Sequence, residues 1–273
     1  MKVLISVDIE GIAGVFHPEQ ARPGNPEYEQ ARRWMSLEAN AAVQGAFDGG
    51  ASQVWVNDSH GGFRNLLPDL IDSRARLVLG KPRTLGMMAG LEASPECVFM
   101  VGYHARAQSR GILAHTVNST AFARVMLDGE EAGEAALYGA LAKERGARVA
   151  LLTGDDVFGA ETLPAFPGAQ FLCVKTAHGY SSGITETPAA ACEAIRRAAQ
   201  ESMETSRSMT PPHATSQAHR CEIRAQSTAF ADLFCQWPTL ERIDAVTLAF
   251  DAPSAEHIVR TINCLSAMSF MLR

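Results

Sequence analysis

The chain has 273 residues, 47% of them hydrophobic and 20% charged, with a formal net charge of -6 at pH 7. That length can bury a full core in one large domain or two modest ones, and an acidic balance with no stripe of lysines and arginines argues against nucleic acid as a partner. No uninterrupted apolar run is long enough to cross a bilayer, and Met1 passes at once into an apolar segment with no room for the charged and hydrophobic regions of a signal peptide, so a cytoplasmic protein is expected.

The first predicted element is a buried strand, KVLISV, which runs into Asp8 and Glu10 and then a glycine-punctuated loop to Gly14. Side chains two apart on a strand point the same way, so both carboxylates could face one cation if the extended backbone persists through Ile9. The alternative is a helix cap at Asp8 with Glu10 in the first turn, and on these residues alone it outweighs the metal reading. Helical spacing continues over 28–48, closed by Gly49 and Gly50. A second strand, 53–57, ends in Asp58-Ser59-His60-Gly61-Gly62. A short strand at 77–79, a helix at 84–92 and a strand at 97–103 come next, the last stopping at His104.

The segment 112–117 carries His115 in extended or irregular chain, and 124–127 reads as a strand before the Asp128-Gly129 turn. Residues 130–144 read as a helix with Glu134 near its start. Strands at 148–153 and 170–175 run into Gly154-Asp155-Asp156 and Thr176-Ala177-His178-Gly179, and a helix spans 188–204. This alternation predicts an α/β fold, a mostly parallel central sheet flanked by helices, as a catalytic domain over 1–204. Small polar residues and prolines over 205–218 read as a linker. Strands near 221–225 and 245–250, with helices at 228–234 and from 254 onward, predict a smaller C-terminal α+β subdomain over 219–273. The six cysteines are scattered without a CxxC and read as small core residues of a reducing compartment.

Ligands of open α/β sheets collect outside the carboxyl ends of the strands. Asp8, Glu10, His60 and His104 all fall at such ends, with Glu134 at a helix start. Two imidazoles and three carboxylates suit zinc or manganese, and five such groups suit a two-metal site with one bridging carboxylate. A lone strand-end histidine or helix-start glutamate would be structural; finding all five at one edge shifts the balance toward metal. Rival motifs are weak: GxGxxG, GxSxG and HExxH are absent.

SVDIEG at 6–11, NDSHGG at 57–62, GYHA at 102–105, AHT at 114–116, GE at 133–134, TGDD at 153–156 and VKTAHG at 174–179 occur in the order of the D-aminopeptidase family of bacterial zinc metallopeptidases, which the whole chain resembles. The resemblance implies two zinc ions per subunit. Asp8 would bridge them, Glu10 and His104 would hold one, His60 and Glu134 the other, and His115 would be the catalytic histidine. It further implies a ten-subunit assembly of two rings acting on short peptides, D-alanyl peptides among them. Asp155 or Asp156 could meet the substrate's amino group and Lys175 a carboxylate or oxyanion, unless lysine and aspartate simply pair. HTVNST at 115–120 and HGYSSG at 178–183 depart from the family pattern at positions that could line the substrate pocket. The alternatives are a dinuclear hydrolase of another amide or a phosphoester, or a non-catalytic ring-forming scaffold.

Overall fold

The N-terminal apolar run forms β1 (Lys2–Val7), hydrogen-bonded in parallel to a strand on each side and buried from Val3 onward. The computed structural model describes residues 1–210 and 212–272. After β1 come α1 (Pro26–Asp48), β2 (Gln53–Asp58), β3 (Arg76–Val78), β4 (Cys97–Val101), β5 (Phe122–Leu127), β6 (Glu130–Glu131), α2 (Glu134–Glu144) and β7 (Arg148–Asp155). The remainder is α3 (Asp156–Thr162), β8 (Gln170–Gly179), β9 (Ser182–Thr185), α4 (Pro188–Ser208), β10 (His219–Ala225), α5 (Thr228–Phe234), β11 (Glu241–Arg242), β12 (Thr247–Ala252) and α6 (Ala255–Met268).

Seven strands form one sheet in the order β3-β2-β1-β4-β7-β8-β9, parallel except for the β8–β9 hairpin. A sheet buried on both faces needs apolar residues at nearly every position, which is why β1 and β4 read as continuous hydrophobic runs. Alternation then divides them. Val3, Ile5, Val7, Phe99 and Val101 pack under α1 and α4, while Leu4, Val98 and Met100 join α2, α6 and the second sheet. Asn25 starts α1 by accepting the Tyr28 amide at 3.0 Å, with Pro26 in the first turn where its missing N–H is not needed.

The second sheet is antiparallel, in the order β11-β12-β10-β5-β6, so it takes strands from both sides of the 205–218 segment. Within that predicted linker, α4 keeps 205–208 helical, 209–210 and 212–218 have neither helix nor strand, and Pro211 lies outside the described residues.

Two expected helices differ. In place of a helix over 84–92 there are two single 3-10 turns, Gly86–Met88 and Leu91–Ala93, because Gly86 and Gly90 take positive φ (52° and 113°) and interrupt it. The helix expected from 130 starts at Glu134, because Glu130 and Glu131 fold back across the Asp128-Gly129 turn to pair with Leu127 and Met126. Among the described residues no helix is long and apolar enough to cross a membrane.

Candidate metal centre

β2, β1 and β4 are adjacent in that order, and their parallel register ends them level, with Val7 beside both Asp58 and Val101. The residues just beyond these ends are His60, Asp8 and His104. Asp8, from the middle strand, therefore lies between the two imidazoles. Its Oδ1 is 3.2 Å from His60 Nδ1, and its Oδ2 is 3.4 Å from His104 Nε2.

Glu10 arrives by another route than strand alternation. The chain leaves the strand at Asp8, whose Oδ1 accepts the Ile9 amide at 2.9 Å, and turns, with the Gly11 amide donating to Gly102 O at 2.7 Å. Neither an extended backbone through Ile9 nor a capped α-helix forms there. Gly11 and Gly102 are where the β1 and β4 turns meet backbone to backbone: a Cβ on Gly11 would strike Tyr103 O, and one on Gly102, at φ +70°, would strike Asp8 O.

The turn brings Glu10 Oε2 to 3.0 Å from His60 Nδ1. Asp58 fixes the loop that bears His60, accepting the Leu66 amide at 2.7 Å and Asn65 Nδ2 at 2.7 Å. Glu134 opens α2 after an extended Gly133; its Oε1 is 3.4 Å from His104 Nε2 and accepts the Val117 amide at 2.7 Å. All five residues expected to bind metal thus converge. Asp8, Glu10, His104 and Glu134 are buried, and His60 is nearly so.

Within the set the contacts group in more than one way. His60 faces Asp8 and Glu10, whereas His104 faces Asp8 and Glu134, because strand order puts His60 and Glu134 on opposite sides of Asp8. Ligand atoms of Asp8, Glu10 and His104 also fall within 4.8 Å of one another, as do those of His104, His115 and Glu134.

Each imidazole spends one nitrogen on the backbone. His60 Nε2 donates to Ala21 O at 2.7 Å and His104 Nδ1 to Ala105 O at 3.0 Å, leaving His60 Nδ1 and His104 Nε2 for the carboxylates. That is the arrangement that orients a metal-binding histidine. His115 does likewise, with Nδ1 donating to Leu113 O at 2.9 Å and Nε2 3.7 Å from Glu134 Oε1. Its backbone is held irregular by positive φ at Leu113 and Val117.

Burial pushes the Asp8 carboxyl up, and the charge of Glu10 adds to this. At Glu10 burial pushes the same way, but His60 overrides it and holds the carboxyl well below the usual range; His104 does the same at Glu134, less strongly. Burial alone would lower the imidazoles, yet Glu10 keeps His60, and Glu134 keeps His104, well above the usual range. Protons on histidine here do what a divalent cation does better, which is to neutralise three buried carboxylates. The donor set fits zinc, and among the described residues the buried His104 Nε2 and Glu10 Oε2 have ionic neighbours but no well-aligned hydrogen bond.

Asp155, Asp156 and Lys175 serve the backbone. Asp155 is buried and accepts the Ile112 and Phe158 amides, each at 2.7 Å; Asp156 accepts the Ala177 amide at 2.7 Å. Lys175 Nζ donates to three carbonyl oxygens and, among the described residues, forms no ion pair; burial lowers it to about 8. Buried Glu38 was missed from sequence, since its α1 position reads as one more helical glutamate. Asp58 was passed over too, although its place at a strand end before a glycine-rich turn was a usable signal.

The family model described as D-aminopeptidase, of the M55 peptidases, matches residues 1–264. A D-aminopeptidase of Bacillus subtilis is 30% identical over 191 residues, which are 70% of this chain and 69% of that protein. Among solved structures, the Zn-dependent D-aminopeptidase DppA from Bacillus subtilis, a self-compartmentalizing protease, has the same fold. It superposes with a TM-score of 0.90 at 24% identity, covering 99% of this chain and 98% of that one.

Proposed function

This chain belongs to the D-aminopeptidase family of peptidases, and from that premise we propose that it is a zinc-dependent aminopeptidase. In this reading it removes the N-terminal residue, a D-amino acid such as D-alanine, from short peptides through a dinuclear site. The observation that carries the reading is the buried cluster in which two backbone-anchored imidazoles turn their free nitrogens on three carboxylates.

Asp8 would be shared between two zinc positions, and Glu10, His60, His104 and Glu134 would complete them. A zinc pair, when bound, supplies polarisation of the peptide carbonyl and water made nucleophilic at neutral pH. The chain's own residues do the rest. With Nδ1 committed to Leu113 O, His115 presents Nε2 beside Glu134, where it can take a proton from the attacking water and return it to the leaving amine, or donate to the oxyanion. Burial of the carboxylates excludes bulk water and strengthens each of these interactions.

Substrate preference is assigned to the two segments that depart from the family pattern. The Leu113 amide donates to Tyr180 O at 2.9 Å, so the 178–183 hairpin braces the His115 segment. The structural neighbour is self-compartmentalizing, and exposed Tyr180, Ile184, Phe270, Met271 and Leu272 offer apolar surface for subunit contacts. We place this chain in a ring assembly of the same kind, a decamer of two rings.

A panel of D- and L-aminoacyl amides beside phosphoesters tests the substrate. Release of the D-residue supports the reading. Turnover of phosphoesters alone would replace it with another dinuclear hydrolase, and a folded, zinc-supplied protein inert on the whole panel would point to a scaffold.

A further inference from the structure

Lys175 reaches from β8 to the turn that carries Glu10. Its Nζ donates to the carbonyl oxygens of Glu10 at 2.5 Å, Ile12 at 3.2 Å and Val15 at 2.6 Å, and the residue is only 3% exposed. An ammonium has three donors, and all three are engaged. A buried cation is unfavourable unless it is fully hydrogen-bonded or paired. Among the described residues Lys175 has no ion-pair partner, so the three carbonyls do that work. The same turn is held from other sides: Glu38 Oε1 accepts the Ala13 amide, and the Thr185 hydroxyl accepts the Gly14 amide, both at 2.9 Å. None of these contacts involves the Glu10 carboxylate, which stays free to face His60.

We infer that Lys175 is a positioning residue that preforms the turn over residues 9–15, so that Glu10 is aimed at His60 before any metal arrives. The inference rests on reading Glu10 as a metal ligand. Lys175 acts through the backbone: its removal leaves the Glu10 and Val15 carbonyls without the donor they now have and lets the ligand swing.

Zinc binding to the full-length Lys175→Met chain, titrated beside the wild type, tests this. Leu248→Ala serves as a control for general loss of stability, since Leu248 is buried in the second sheet, in a core cluster separate from the one that holds Ile9, Ile12, Ala13 and Val15 of the turn. Lys175→Met should bind one zinc as the wild type does and the second roughly 10- to 100-fold more weakly, the effect seen when groups supporting a metal ligand are removed. Leu248→Ala should bind both normally. Two unperturbed zinc sites in Lys175→Met, or the same loss in Leu248→Ala, would overturn the inference. A wild type that binds two zincs keeps those failures separate from failure of the metal reading; a wild type that binds none removes both. Should Lys175→Met not fold, amide exchange on the metal-free wild type decides. Protection of the Ile12, Ala13 and Val15 amides should be unchanged by zinc removal, and its collapse would overturn preformation.

Discussion

The imidazole rings of His104 and His115 lie stacked, their centroids 4.1 Å apart and their planes 8° from parallel. His104 Nε2 faces both Asp8 and Glu134, whereas among the described carboxylates His115 Nε2 reaches Glu134 alone, at 3.7 Å. His115→Ala should therefore keep its metal and lose turnover by about 10²- to 10⁴-fold, the usual contribution of a general acid–base. Metal content and kcat on the same preparation check this; a metal lost together with activity would make His115 a ligand.

Asp8 stands between both imidazoles, so Asp8→Asn should empty both metal positions and abolish hydrolysis. Burial and the charge of Glu10 both disfavour ionised Asp8 when no metal is bound. Metal-free Asp8→Asn should then melt no lower than metal-free wild type, although zinc raises only the wild-type Tm. A melting curve with and without chelator separates the two effects.

Glu38 Oε1 accepts the Ala13 amide, Oε2 has no hydrogen-bond partner among the described residues, and burial pushes the carboxyl from its ordinary 4.5 up to about 7. Between those values the folded chain holds a proton that the unfolded chain releases. Stability from this group therefore falls as pH rises from about 4.5 to 7 and stays low above it. Glu38→Gln should stabilise the protein at pH 8 by up to about 3 kcal/mol and change little near pH 4.5. Urea unfolding at the two pH values reads the difference directly; an equal shift at both would contradict the assignment.

Gly11 and Gly102 let the turns after β1 and β4 touch, and alanine at either strikes backbone of the other strand's turn. Each substitution should destabilise by roughly 2–4 kcal/mol, from overpacking and, at Gly102, a positive φ. Each should also separate Asp8 from His104, so metal content of the folded fraction should fall. Full metal content in Gly102→Ala would show that the strand ends tolerate the added carbon.

Much of the site could be read from the sequence because parallel strands announce themselves as apolar runs and deliver the residues just past their ends to one edge. Asp8, His60 and His104 were legible for that reason. Glu10 was legible as a residue and not as a geometry, since a turn places it where a strand was expected. Lys175 and Asp155 were singled out in the sequence as groups that could meet substrate, but their hold on the backbone was not legible, because carbonyl and amide partners leave no mark in the residue pattern. The pairing of β5 with β10, nearly one hundred residues apart, was equally invisible, as were short α3 and β9, whose lengths give periodicity nothing to act on. The helix expected over 84–92 failed at Gly86 and Gly90, where turn chemistry prevailed over hydrophobic spacing.

The central claim is a pair of zinc ions working on a D-aminoacyl peptide. It is tested most directly by metal content on protein purified without chelator, paired with hydrolysis of D-Ala and L-Ala dipeptides before and after metal removal and zinc restoration. Two metals per chain, with cleavage of the D-peptide lost on removal and restored by zinc, is the predicted result. No metal and no cleavage, even after zinc or manganese is added, would contradict it.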